Sequence, residues 1–216
     1  MPPVRPRDAA SLIIHRQRFT HHEVLMGRRG QKARFKPGVY VFPGGGLERG
    51  DYHAQPARAL AEHIVPQLAV AQSRAKATAL AMAAVREASE EAGLMLGVPG
   101  TVGRVSHDTW ARFRDAALAP DLGALEFLGR AITPSYQPIR YHARFFAAHA
   151  DLFSGELGGD GELEDLRWVR LDDLGGIEMM EVQALMLETL RERLAGREVA
   201  ARRMFFQRGR RQNLDA

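Results

Sequence analysis

Pro43-Gly44-Gly45-Gly46-Leu47-Glu48-Arg49-Gly50-Asp51, then residues 52–85, then Arg86-Glu87-Ala88-Ser89-Glu90-Glu91-Ala92-Gly93-Leu94 is the stretch from which the rest of the chain is best read. Taken as a helix, its second half sets Glu87, Glu90 and Glu91 at i, i+3 and i+4, so three carboxylates share one face within roughly 100° of arc. Two like charges about 5 Å apart repel by roughly 3 kcal/mol at an effective dielectric of about 20. Three of them disfavour the helix or push their own pKa values upward. A bound divalent cation reverses the sign of that penalty. Ligation by oxygen alone suits Mg2+ or Mn2+, and a chain without cysteine has no thiolate to offer. Alone, the charge run also fits a solvated helix face with an Arg86–Glu90 pair; the glycine turn upstream favours a site.

The surroundings of that helix fit the same idea. Ala83, Ala84, Ala88 and Ala92 are strong helix formers small enough to lie close on a sheet, and Gly93 is placed to end the helix. Gly44, Gly45 and Gly46 let the backbone approach a ligand closely, so a carbonyl such as that of Gly45 can complete an ion's coordination. Arg28, Arg29, Arg34 and Lys36 come just before this turn and are placed to grip a diphosphate.

Gly45, five residues, Asp51, and then Arg86-Glu87-Ala88-x-Glu90-Glu91-x-Gly93-Leu94 resemble the Nudix box, G-x5-E-x7-R-E-U-x-E-E-x-G-U with U apolar. Tyr40 to Glu48 match the strand and loop that lead into that box. There are two departures. Asp51 stands where the pattern has Glu, one methylene shorter, and 34 residues (52–85) stand where it has seven, an excess of 27 (34 − 7). With Arg7-Asp8-Ala9-Ala10-Ser11 and Gly27-Arg28-Arg29 ahead of it, this interrupted box is similar to the branch that includes acyl-coenzyme A diphosphatases.

The resemblance implies an α/β fold: a single Nudix-type α/β/α sandwich over residues 1–216 with a mixed sheet, a helical insert at about 52–80 and a flexible basic tail at about 207–216. It implies that Glu87, Glu90, Glu91 and Gly45 hold Mg2+ or Mn2+, that Arg86 orients the carboxylates, and that Gly44, Gly45, Arg28, Arg29 and Arg34 meet the substrate. One of the three glutamates, or Glu162 or Glu164 in the loop before the Trp168 strand, takes a proton from water. The implied reaction is hydrolysis of a nucleoside diphosphate linked to a second group. Coenzyme A or an acyl-coenzyme A leads; ADP-ribose, dinucleotides and damaged nucleoside triphosphates follow. A non-catalytic nucleotide-binding module and a purely structural α/β domain are the other readings.

At 216 residues, with 45% hydrophobic and 26% charged residues, the chain is long enough to bury a real core. The net charge of +4 is mild and its arginines gather near the two ends, which reads first as solvated termini; such clusters can attract phosphate-bearing ligands, and no nucleic-acid partner is assigned. No membrane span or signal segment is readable, a cytoplasmic location is expected, and a homodimer stays open. Strands are expected at 9–15, 23–29, 38–42, 125–132 and 141–149. Helices are expected at 57–65 between Pro56 and Pro66, 74–92, 106–119 and 179–194. The insert reads as a flap beside the site or as a packing lobe. His15, His21 and His22 read as a surface turn, and 155–164 as a mobile acidic loop.

Overall fold

The computed structural model describes residues 4–31, 36–207 and 210–215. In chain order its elements are β1 (Arg7–Arg18), β2 (His21–Arg29), β3 (Tyr40–Val41), β4 (Gly44–Gly46), α1 (Arg74–Ala92), β5 (Met95–Pro99), α2 (Asp108–Asp115), β6 (Leu118–Pro120), β7 (Glu126–Ile132) and β8 (Tyr141–His149). They continue with β9 (Phe153–Ser154), β10 (Leu163–Arg170), α3 (Glu181–Leu194), β11 (Arg202–Gln207) and β12 (Arg210–Asp215).

The main sheet runs β10-β2-β1-β8-β7-β11-β12, with β3 on β2 and β4 on β1. It is mixed because β1 runs antiparallel to β2 and parallel to β8. The apolar run of β1 explains its central place: Leu12 and Ile14 face α1, whereas Ile13 faces α3, and all three are fully buried. On the first face the small side chains Ala77, Ala81, Ala84 and Ala88 let α1 lie low over the sheet. On the second, Met186, Leu187 and Leu190 of α3 pack on Val24, Met26 and Leu128. This is the expected α/β/α sandwich. Among the described residues no helix is long and apolar enough to cross a membrane.

Ser73 starts α1, its Oγ accepting from the Lys76 amide at 3.2 Å, and Gly93 ends it at φ +74°, a left-handed conformation that glycine adopts without steric cost. The helix that carries the carboxylates is thus fixed at both ends by its own sequence.

Several expectations need correction. The helix at 57–65 does not form. The insert holds instead a 3₁₀ turn at Glu62–Leu68 that contains Pro66, since a short turn loses little when one amide is missing. Leu60, Ile64, Leu68 and Val70 are buried with α1, so the insert is a packed lobe of the core. Of the basic tail expected at 207–216, residues 210–215 pair with β11 as a hairpin at the sheet edge, and 208, 209 and 216 lie outside the described residues. The 155–164 segment docks on the end of α1, where the Gly158 and Asp160 amides donate to Ala92 and Glu90 carbonyls at 3.0 Å. Residues 95–99, 118–120 and 153–154 form a small second sheet, β6-β5-β9.

Candidate active site

β4 brings the glycines to the carboxylates. Gly44 and Gly45 pair with Ser11 and Ala10 of β1. A Cβ on Gly44 would collide with Ser11, and one on Gly45 with the Glu87 carboxylate, so both positions require glycine for close approach. The Gly44 amide donates to Glu91 Oε2 at 2.7 Å.

Arg86 is the hub. It is 1% exposed and donates from Nε to Asp51 Oδ1 at 2.9 Å, from Nη1 to Glu87 Oε1 and Glu90 Oε2 at 2.9 Å each, and from Nη2 to the Gly46 carbonyl at 2.8 Å. Burial works against its charge, but Asp51, Glu87 and Glu90 outweigh this and hold its pKa above the ordinary value. Asp51 also accepts the Glu48 amide at 2.8 Å. The shorter acid at this position therefore closes the turn and anchors Arg86. Burial raises its pKa against the pull of Arg86.

The other carboxylates differ in setting. Glu87 is pushed up to about 7, mainly by burial, with Arg86 opposing and Glu90 adding to the rise. Glu91 is pushed up to about 9 by burial and by the nearby Glu87. Glu90 shares the Arg86 Nη1 donor with Glu87 and also accepts from the Thr109 hydroxyl, with His107 Nδ1 at 3.8 Å. Thr109 and His107 sit at the start of α2, an element whose role the sequence did not reveal.

A cavity of about 680 Å³ is lined by Gly44, Gly45, Glu87, Arg29, Lys36 and Glu162, among others. Glu90 lines a different cavity of about 720 Å³, with Thr109 and Gly158. Glu162 adds to the negative field on both Glu87 and Glu91. Glu164 points elsewhere, pairing with Arg28 at 3.2 Å where both are exposed. Of the expected substrate residues, Arg29, Gly44 and Gly45 line the 680 Å³ cavity with Glu87, Arg28 does not, and Arg34 lies outside the described residues. No residue of 52–80 lines it.

Among the described residues no three acidic or histidine side chains converge tightly enough to form a ready-made ion cage. The donor set nonetheless fits a hard divalent ion. Two buried carboxylates lie against a glycine backbone, and Mg2+ characteristically takes one or two carboxylates, keeps waters and adds substrate phosphate oxygens.

No family model and no curated protein matches the chain. Among solved structures, a Nudix hydrolase from Alicyclobacillus acidocaldarius is similar with a TM-score of 0.66 and 27% identity, over 85% of this chain and 90% of that one. This chain belongs to the Nudix superfamily. Its Nudix box is split in sequence and joined in space by Asp51 and Arg86. The Nudix domain of NrtR from Shewanella oneidensis, solved with ADP-ribose, matches with a TM-score of 0.52 and 13% identity over 88% of this chain and 90% of that one. A MutT protein from Bacillus halodurans matches at 0.51 and 12% over 96% and 97%. These two share the Nudix fold. A Nudix hydrolase fold fits cleavage of a diphosphate in a nucleotide derivative.

Proposed function

We propose that this chain is a Mg2+- or Mn2+-dependent hydrolase that cleaves the diphosphate of coenzyme A or an acyl-coenzyme A. The observation that carries the diphosphate reading is the contact of Glu87 and Glu91 with the β4 glycines, beside a cavity lined by Glu87, Gly44, Gly45, Arg29 and Lys36. Two carboxylates that burial drives toward protonation are poor neighbours unless a cation joins them. The coenzyme A reading rests on the interrupted box and its similarity to the acyl-coenzyme A diphosphatase branch.

Glu87, Glu91 and the Gly45 carbonyl would hold the ion, which when bound neutralises phosphate oxygens and acidifies water. Arg29 and Lys36 offset the charge of the diphosphate. Arg86 fixes the Glu87 and Glu90 carboxylates through 2.9 Å bonds from one nitrogen. Glu162 accepts the proton of the attacking water. The water oxygen forms a new bond to phosphorus as the bridging P–O bond breaks, and the bond's electron pair leaves on the departing phosphate oxygen. Two phosphorylated products result.

ADP-ribose, the ligand of the NrtR Nudix domain, is the second candidate substrate. A mass-spectrometric screen of the protein with Mg2+ or Mn2+ tests both against coenzyme A, acyl-coenzyme A, ADP-ribose, NADH and diadenosine polyphosphates. Release of adenosine 3',5'-bisphosphate with a phosphopantetheine product is the expected result. Cleavage of ADP-ribose alone discards coenzyme A, and turnover of nothing by folded, metal-binding protein leaves a nucleotide-binding module.

A further inference from the structure

We infer that Arg130, Arg144 and Arg203 form a second binding site, for a phosphate or phosphomonoester dianion, on the sheet face opposite the carboxylate cavity. The three residues stand on adjacent strands in register: Arg130 of β7 is opposite Arg144 of β8 and opposite Arg203 of β11. Residues opposed in this way place their side chains on one face as close neighbours. The adjoining pair, Ala131 and Ala143, faces the other way and lines the carboxylate cavity. The two sites therefore stand back to back through β7 and β8.

The row is short of negative charge. Asp8 bonds to Arg144 at 2.5 Å and is shared with Lys76 at 2.6 Å. Among the described residues Arg130 and Arg203 make no ion pair with a carboxylate, and the Asp8 that Arg144 meets is already shared with Lys76. Arg130 has His142 Nε2 at 3.5 Å from its Nη1, and burial with the nearby arginines drives that imidazole down to about 3, so it stays neutral. The Arg203 guanidinium lies over the Phe205 ring at 4.5 Å. Nε of Arg130 and Nε of Arg203 are both buried without a hydrogen-bond partner among the described residues. Buried donors of this kind are normally satisfied, so an unmet pair in one row is a sign of an absent acceptor. The crowding is also visible in Arg130, pulled down to about 10 by burial and then by Arg203 and Arg144.

The loop beside the row is unusual as well. Arg144 Nε donates to the Leu68 carbonyl at 3.1 Å, and the chain then passes through Ala69, Ala71 and Gln72 at φ 53°, 51° and 61°. Three left-handed non-glycine residues in four persist only where the surroundings hold them. The occupant follows from the donors. Planar guanidinium forks match phosphate oxygens, and a dianion offsets more of the row's excess charge than a carboxylate does. Inorganic phosphate and the terminal phosphate of a nucleotide share this chemistry, and Phe205 offers a flat face to the latter.

The test is calorimetric titration of the full chain with inorganic phosphate, AMP and adenosine. An Arg29→Gln background weakens phosphate binding in the carboxylate cavity, so that the loss on changing Arg130 or Arg203 reports the second site. Phosphate or AMP should bind to Arg29→Gln, adenosine should not, and adding Arg130→Gln or Arg203→Gln should weaken binding by at least about tenfold, as expected for losing a charge-assisted contact. Circular dichroism and retained hydrolysis by the single variants Arg130→Gln and Arg203→Gln check that the fold is intact. If AMP binds more tightly than phosphate and Phe205→Ala removes the difference, the occupant is a nucleotide; equal binding assigns free phosphate. Undiminished binding in folded Arg29→Gln/Arg130→Gln/Arg203→Gln protein, or binding only above a Kd on the order of 10 mM, which is under 3 kcal/mol, overturns the site.

Discussion

Asp51 and Arg86, 35 positions apart, are joined by a 2.9 Å Nε to Oδ1 bond, with both side chains almost wholly out of solvent. The bond closes the box across its insert, so that everything between the two residues has to return the chain to within hydrogen-bond reach. Removing one partner from a buried pair leaves the other charge uncompensated, at a cost of about 3–5 kcal/mol. Asp51→Asn and Arg86→Gln should each lower unfolding stability by about that amount in urea denaturation, and the double variant by clearly less than the sum. Additive losses would show that the two side chains do not act on each other.

Glu162 and Glu164 are two residues apart and are placed differently, one lining the cavity and the other paired with exposed Arg28. Glu162→Gln should lower kcat by about 10²–10⁴ with little change in Tm, the range for loss of a general base. Glu164→Gln should keep kcat within about threefold, since an exposed pair contributes at most about 1 kcal/mol. Steady-state kinetics with the reverse ranking would move the base to Glu164.

The insert packs on the core and does not line the cavity. Leu68 is fully buried, and Leu68→Ala should cost about 2–5 kcal/mol of stability. KM measured well below the new Tm should stay within about twofold. A large rise in KM without loss of stability would instead give the insert a role in holding substrate.

His142 and His15 set an acid limit on stability. Burial, followed by nearby positive charge, pulls His142 down to about 3 and His15 down to about 4, from an ordinary value of 6.5. Between those values the unfolded chain binds more protons than the folded one. The contribution is therefore fully present above about pH 6.5 and is lost as pH falls toward 4 and then 3. Tm recorded from pH 7 to pH 4 should fall, and His142→Gln should flatten the slope; an unchanged slope removes His142 from the explanation.

The parts legible in the sequence were those with a local signal. The helix over 74–92 and the strand over 141–149 have the expected bounds, because a serine cap, an alanine-rich body and a terminal glycine define the first, and an apolar run the second. The 3.6-residue period also put Glu87, Glu90 and Glu91 on one helix. It does not show that Thr109, 19 residues beyond Glu90, also bonds that carboxylate. Nor does charge alone distinguish a solvated tail from β12, whose arginines belong to an edge hairpin with an aromatic partner strand. The acidic loop has the composition of a mobile segment. It is held by amides that find the last carbonyls of α1, a satisfaction of backbone groups that composition cannot report.

The most direct test of the central claim is turnover of coenzyme A in ¹⁸O-labelled water with Mg2+, by the wild-type chain and by Glu91→Gln. Glu91 receives the Gly44 amide at the point where the box meets the glycine strand. The account predicts one ¹⁸O per cleavage, found in a phosphate of one product, and a loss of at least about 10² in kcat for a folded Glu91→Gln protein, in the range seen when one group that stabilises transition-state charge is removed. Wild-type rates in Glu91→Gln, or no cleavage of any nucleoside diphosphate derivative by folded metal-loaded protein, would contradict it.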